Sequence, residues 1–263
     1  MKVRIITAVI AAALFLPIVL KGGYLFTGLI YIMAAVGVFE ILRMKGIRLF
    51  SFAGIISLLL LFILLLPSSI ASDVLAVTGH SKLEWTFVAV FLLLIYTVLV
   101  KNRFTFDDAA FVILGTLYVG IGFYYFIETR NIGLAYVIFA LIIVWTTDSG
   151  AYFTGRKIGK RKLWPEISPN KTVEGFIGGI IWAIIAAFII QWISPLTSSY
   201  LVLIAITIAA SIFGQLGDLV ESAIKRHYNV KDSGSLLPGH GGILDRFDSL
   251  LFVLPLLHFL HFI

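Results

Sequence analysis

The sequence predicts an all-α fold: a polytopic integral membrane bundle of about nine transmembrane helices, with its N-terminus in the cytoplasm. Three observations carry that expectation. Of the 263 residues, 60% are hydrophobic and only 13% charged, against roughly 45–50% and 25% in an average soluble domain. Too few polar side chains remain to cover a water-facing surface. The apolar residues also fall in long unbroken runs, not in the short alternating segments of a barrel, and hydrocarbon admits only helices or closed barrels. The third observation is the partition of lysine and arginine between alternate loops.

A helix needs about 20 apolar residues to cross about 30 Å of hydrocarbon at about 1.5 Å per residue. Nine runs qualify: 5–20, 24–42, 51–70, 83–100, 108–126, 132–148, 174–194, 198–220 and 247–263, the sixth and ninth being short. The first begins like a signal peptide, with Lys2 and Arg4, but Ala11, Ala12 and Ala13 lie inside the run and not after it. It is therefore read as a retained helix. With nine spans, Lys21, Lys82 and Arg130 fall on one side and the other seventeen of the twenty Lys and Arg on the opposite side. The rich side is cytoplasmic, which places the C-terminus outside. Dropping one span would mix the two sets. The net charge of +6 then reads as topology information facing anionic lipid, and no nucleic-acid partner is expected. The absence of cysteine excludes disulfides, thiolate zinc sites and a cysteine nucleophile.

No internal repeat or low-complexity linker is visible. The chain reads as one integrated membrane domain with two regions, N-terminal helices over 1–130 and a catalytic region over 131–263. The latter carries cytoplasmic loops at 149–173 and 221–246. Eight of the fourteen acidic residues lie between Asp148 and Asp248.

The densest stretch runs from Ser222 to Asp248, preceded by Asp218. On one helix Asp218, Ser222, Lys225 and Arg226 share a face at i, i+4, i+7 and i+8, and Asp245 and Asp248 share another at i, i+3. Three carboxylates arriving at one membrane boundary repel each other unless a cation sits among them. Hard divalent ions suit such oxygen donors, so Asp218, Asp245 and Asp248 are the expected metal ligands and Mg²⁺ the expected cofactor, with a second cation left open. Lys225, Arg226, Lys231 and Arg246 are the cations to neutralise a triphosphate and a lipid phosphate. His240, Gly241 and Gly242 form a turn suited to an anion nest. No protein nucleophile is required: a phosphate monoester oxygen attacks the α-phosphorus of a nucleotide while the site holds both reactants.

From Ser222 through Lys225-Arg226, Lys231-Asp232, Pro238, His240-Gly241-Gly242 and Asp245-Arg246 to Asp248, the stretch resembles, without departure, the signature of the CDP-diacylglycerol synthase (phosphatidate cytidylyltransferase) family. The region from Asp148 through Gly155-Arg156 to Ser168-Pro169-Asn170-Lys171-Thr172 also looks like that family, with Asn170 a mild departure where Lys is more usual. The resemblance covers about 146–250 and says nothing of the first hundred residues. It implies CTP + phosphatidate → CDP-diacylglycerol + pyrophosphate. CTP would arrive from the cytoplasm and phosphatidate sideways from the inner leaflet of the plasma (inner) membrane. Asp148, Asn170 and Lys171 are further candidates for the same cavity, with Ser222, His240, Gly241 and Gly242 as substrate-binding positions.

Other readings of the same residues stand beside these. Boundary aspartates also cap helices, and the Gly155–Lys162 basic run reads first as a positive-inside anchor. Three residues separate its two glycines, and Arg161 stands where Ser or Thr is needed, so it is not a P-loop. His258 and His261 read as interfacial packing. A CTP-dependent polyprenol kinase would release CDP instead of pyrophosphate. An ion-coupled transporter would place charges mid-span and repeat its halves. Acyl-chain preference, a general base and oligomeric state stay open, a homodimer among the options.

Overall fold

A computed structural model describes residues 2–236, 239 and 241–263, with the side chains of all of these except 2–6, 8, 72, 74 and 75. Among them, six helices are long and apolar enough to cross a membrane and three more apolar helices are shorter. Each of these nine helices falls on one of the nine runs read from hydropathy, six of them with the length of a span. The chain divides into two compact units. One comprises Met1–Glu128 with Ser233–Leu244, the other Thr129–Asp232 with Asp245–Ile263.

The first unit holds α1 (Lys2–Lys21), α2 (Gly23–Met44), α3 (Phe52–Leu64), α4 (Ser68–Ala76), α5 (Lys82–Leu99) and most of α6 (Phe106–Ile132). Gly22 and Gly23 both take positive φ, which lets α2 follow α1 directly. Ser51 caps α3 by accepting the Gly54 N–H at 3.2 Å, and Ser81 and Glu84 form a capping box at the head of α5. Phe26, Phe123, Phe126 and Ile127 are buried, and Ser57 meets Thr116 at 2.6 Å between α3 and α6.

The run expected as one span over 51–70 is corrected. Helix α3 stops at Leu64, and Pro67, which has no N–H to donate, precedes a separate α4. Lys82 covers the broken end by donating to the carbonyls of Leu64 and Leu66 at 2.9 and 2.6 Å.

The second unit contains α7 (Leu134–Ile158), a hairpin of β1 (Lys162–Trp164) and β2 (Ser168–Thr172), α8 (Val173–Ile193), α9 (Tyr200–His227), α10 (Leu244–Phe247, whose first residue belongs to the other unit) and α11 (Leu250–Phe259). The strands are antiparallel, with Lys162 opposite Thr172. Helices α7 and α8 approach closely because glycines face them. A Cβ at Gly150 would strike Trp182, and one at Gly179 would come within 2.8 Å of the Thr147 carbonyl.

The expected loops also need correction. The segment 149–173 is helical through Ile158 and then forms the hairpin, and 221–246 is helical through His227 and again over Leu244–Phe247. Polar residues ended the hydropathy signal there but not the helices, because they line a polar cavity. The run 247–263 is helical over only ten residues, Leu250–Phe259. At about 1.5 Å per residue it extends roughly half the thickness of a bilayer core.

Candidate active site

The second unit encloses a cavity of about 810 Å³. Three stretches bring charge to it. From α7 come Asp148, Tyr152 and Arg156, spaced at i, i+4 and i+8 on one face; from the hairpin, Lys162, Asn170, Lys171 and Thr172; from α9, Gln215, Asp218, Glu221 and Lys225. Asp232, Asp245, Arg246 and Asp248 complete the charged lining.

Small residues make these approaches possible. A Cβ at Gly217 would fall 2.6 Å from the Asp248 carbonyl oxygen, so glycine beside Asp218 lets the backbone carrying Asp248 reach α9. Thr172 accepts the Gly175 N–H at 3.1 Å as the cap of α8, and its side chain fills the space left by Gly155 and Gly159. That contact holds the hairpin against the end of α7.

The charges are paired in a definite order. Lys171 Nζ lies 2.7 Å from Asp218 Oδ2, with both side chains partly exposed. Lys225 Nζ donates to Glu221 Oε2 and to Asp245 Oδ1, each at 2.6 Å. In that trio the side chains are only 15%, 2% and 6% exposed respectively. Ser222 donates to Asp218 Oδ1 at 3.3 Å, and Asp248 Oδ1 accepts the Ser249 N–H at 2.7 Å. The charges of Asp148, Asp218 and Asp248 lie near enough to act on one another.

Eight residues singled out from the sequence therefore line one cavity: Asp148, Asn170, Lys171, Asp218, Lys225, Asp245, Arg246 and Asp248. Ser222 stands beside Asp218. Arg226 instead donates through Nε to the Ile167 carbonyl at 3.4 Å, and Lys231 is exposed; neither is in the lining. Gly241 and Gly242 belong to the first unit, where Gly242 packs on Glu40. His240 lies outside the described residues. The sequence reading missed Tyr152, Arg156, Lys162, Glu221 and Asp232 as lining residues. Glu221 and Arg156 had a legible signal in their i+3 and i+8 spacing from Asp218 and Asp148.

Among the described residues no three acidic or imidazole groups converge into a ready ligand set; ammonium groups stand against Asp218, Asp245 and Glu221 instead. The donor chemistry nonetheless suits a hard divalent cation. Six carboxylates line the cavity, and Glu221 Oε1 is buried without a hydrogen-bond partner. The lining also holds five basic side chains, Arg156, Lys162, Lys171, Lys225 and Arg246, which nearly balance the six acids. A polyphosphate brought here would leave an excess of negative charge that metal ions neutralise.

A helical membrane chain whose cavity interleaves six carboxylates with five basic side chains suits an enzyme that handles phosphate groups. The chain matches the cytidylyltransferase family over residues 2–263 and belongs to it. It is 58% identical over 263 residues to the phosphatidate cytidylyltransferase of Bacillus subtilis (strain 168), covering 99% of this chain and 97% of that protein. It is 52% identical over 260 residues to the phosphatidate cytidylyltransferase of Staphylococcus epidermidis and 50% to that of Staphylococcus aureus, in each case across 99% of this chain and 98% of the relative.

Proposed function

We propose that this integral membrane enzyme is a phosphatidate cytidylyltransferase, converting CTP and phosphatidate to CDP-diacylglycerol and pyrophosphate. The observation that carries the reading is the cavity in which Asp148, Asp218, Asp245 and Asp248 interleave with Lys171, Lys225 and Arg246. A phosphate oxygen of phosphatidate forms a bond to the α-phosphorus of CTP, and the bond from that phosphorus to the β-phosphate oxygen breaks as pyrophosphate departs. Both reactants are anions, so the chain's work is to hold them in line and absorb charge.

In this reading Arg246 grips a phosphate through its planar fork, while Lys171, Arg156 and Lys162 supply further positive charge. Lys225, held between Glu221 and Asp245, orients the Asp245 carboxylate. Asp218, Asp245 and Asp248, with Asp148, would hold Mg²⁺. When bound, that ion supplies charge neutralisation at the phosphates.

The cavity is assigned to the cytoplasmic side of the plasma membrane, because Arg156, Lys157 and Lys160–Lys162 crowd the end of α7 and the hairpin. Cysteines introduced at Lys157 and Ser198 should label from opposite sides; labelling from one side would reject this orientation. The chemistry is tested by incubating purified protein with CTP and phosphatidate, with and without Mg²⁺. The expected products are CDP-diacylglycerol and pyrophosphate, dependent on the ion. Release of CDP with phosphorylated lipid would identify a kinase instead.

A further inference from the structure

Glu40 lies on α2, remote in sequence from every residue assigned above. It is 1% exposed, on a helix whose neighbouring residues Val38, Ile41 and Leu42 are buried and apolar. A leucine would satisfy packing at such a place, so the carboxylate must answer to hydrogen-bond donors. Three are present. Oε1 accepts the Ile243 N–H at 2.9 Å, and Oε2 accepts the Leu244 N–H and the Ser233 hydroxyl, both at 3.0 Å. A Cβ at either Gly234 or Gly242 would collide with the same carboxylate. Two glycines, a serine and two consecutive peptide N–H groups are thus arranged around one side chain, all within the first unit.

We propose that Glu40 is a positioning residue for nucleotidyl transfer: its carboxylate clamps Ser233, Gly234 and Gly242–Leu244, and so fixes the backbone from which Asp245 and Arg246 project. Leu244 opens α10, and Asp245 and Arg246 are its next two residues. With the peptides at 243 and 244 held, the Asp245 carboxylate keeps its 2.6 Å contact with Lys225, and the Arg246 fork keeps its direction. The two acceptor oxygens of a carboxylate matter because Ser233, Ile243 and Leu244 all donate to them. A glutamine amide would turn an NH₂ group toward at least one of them and leave it unpaired.

The inference rests on the assignment of Asp245 and Arg246 to the transfer site. It is tested on the full chain in detergent micelles with three variants, Glu40→Gln, Ser233→Ala and Ser57→Ala. The last breaks a buried polar contact of the same unit at Thr116. Because the chain has no cysteine, Ser235→Cys added to each carries a single spin label beside the clamp. Glu40→Gln should lower turnover at saturating substrates by about tenfold or more, since small misplacements of reacting groups cost orders of magnitude, and should mobilise the label. Ser57→Ala should lower the melting temperature comparably while leaving turnover within about twofold and the label immobile.

Equal losses of turnover in Glu40→Gln and Ser57→Ala at matched melting would overturn the proposal, as would unchanged turnover and label mobility in Glu40→Gln. Should Glu40→Gln not accumulate as folded protein, Ser233→Ala decides. It removes one donor of three and should cost about threefold in turnover with a loosened label; wild-type behaviour overturns the clamp. Wild-type protein that makes no CDP-diacylglycerol would reject the functional reading, whereas label mobility reports on the clamp regardless.

Discussion

Two regions of this molecule bury carboxylates, and they treat them in opposite ways. In the first unit Glu40 accepts hydrogen bonds from Ser233, Ile243 and Leu244, and Gly234 and Gly242 leave room for its carboxylate. In the second unit Asp148, Asp218, Glu221, Asp245 and Asp248 share one cavity, feel one another's charge, and leave Glu221 Oε1 without a hydrogen-bond partner. Burying a carboxylate is costly unless it is paired and hydrogen-bonded. A hydrogen-bonded carboxylate can stabilise the native backbone, while in the cavity lysines offset part of the mutual repulsion of the acids. The same residue type thus stands in two settings, one dominated by backbone and hydroxyl donors and the other by neighbouring charges.

The comparison breaks most visibly at the cavity aspartates. Asp218→Asn, Asp245→Asn and Asp248→Asn should each reduce turnover by roughly a thousandfold or more, as removal of a group acting on the transition state does. Thermal melting should stay near that of the parent protein. Near-parental rates in two of the three, with lowered melting temperatures, would make these residues clamps like Glu40.

A smaller effect is expected from Arg246→Lys, which keeps the charge and loses the fork. A loss of about 1–3 kcal/mol of charge-assisted hydrogen bonding corresponds to a fall of about five- to 150-fold in kcat/KM, read from initial rates against CTP at fixed phosphatidate. Arg226→Ala and Lys231→Ala, whose side chains do not line the cavity, should cost less than about threefold in the same assay. Losses there exceeding that of Arg246→Lys would move the phosphate site out of the cavity.

Glu221→Gln sharpens the contrast. Lys225 retains Asp245 at 2.6 Å, and a negative charge beside Asp248 is removed. Stability measured by denaturant should therefore change by less than about 1 kcal/mol, whereas turnover should fall about tenfold. A large loss of stability with full turnover would class Glu221 with Glu40.

The apolar helices were legible because hydropathy is a property of each segment alone. That Asp218, Asp245 and Asp248 would meet was legible too, since their spacing sets them at one boundary, and all three line the cavity. The end of α9 was legible in part, since Asp218 to Arg226 read as one helical face, but the end of α7 was not: Asp148–Ile158 looks like loop by polarity, yet it is helical, with Asp148, Tyr152 and Arg156 in the cavity lining. Lys162 and Arg156 read as topology anchors, and only the turn of the β1–β2 hairpin and the pitch of α7 carry them to the lining.

By itself, then, the sequence determined that the chain lives in a bilayer as helices and that its polar chemistry collects in the stretch from Asp148 to Asp248. Tertiary structure decided the partners. Lys171 is paired with Asp218, and Lys225 is paired with both Glu221 and Asp245. Glu40 bonds to an N–H 204 residues away. Such choices depend on which backbones can approach, and that is settled by where glycines let helices touch, a property of the packed chain and of no single segment.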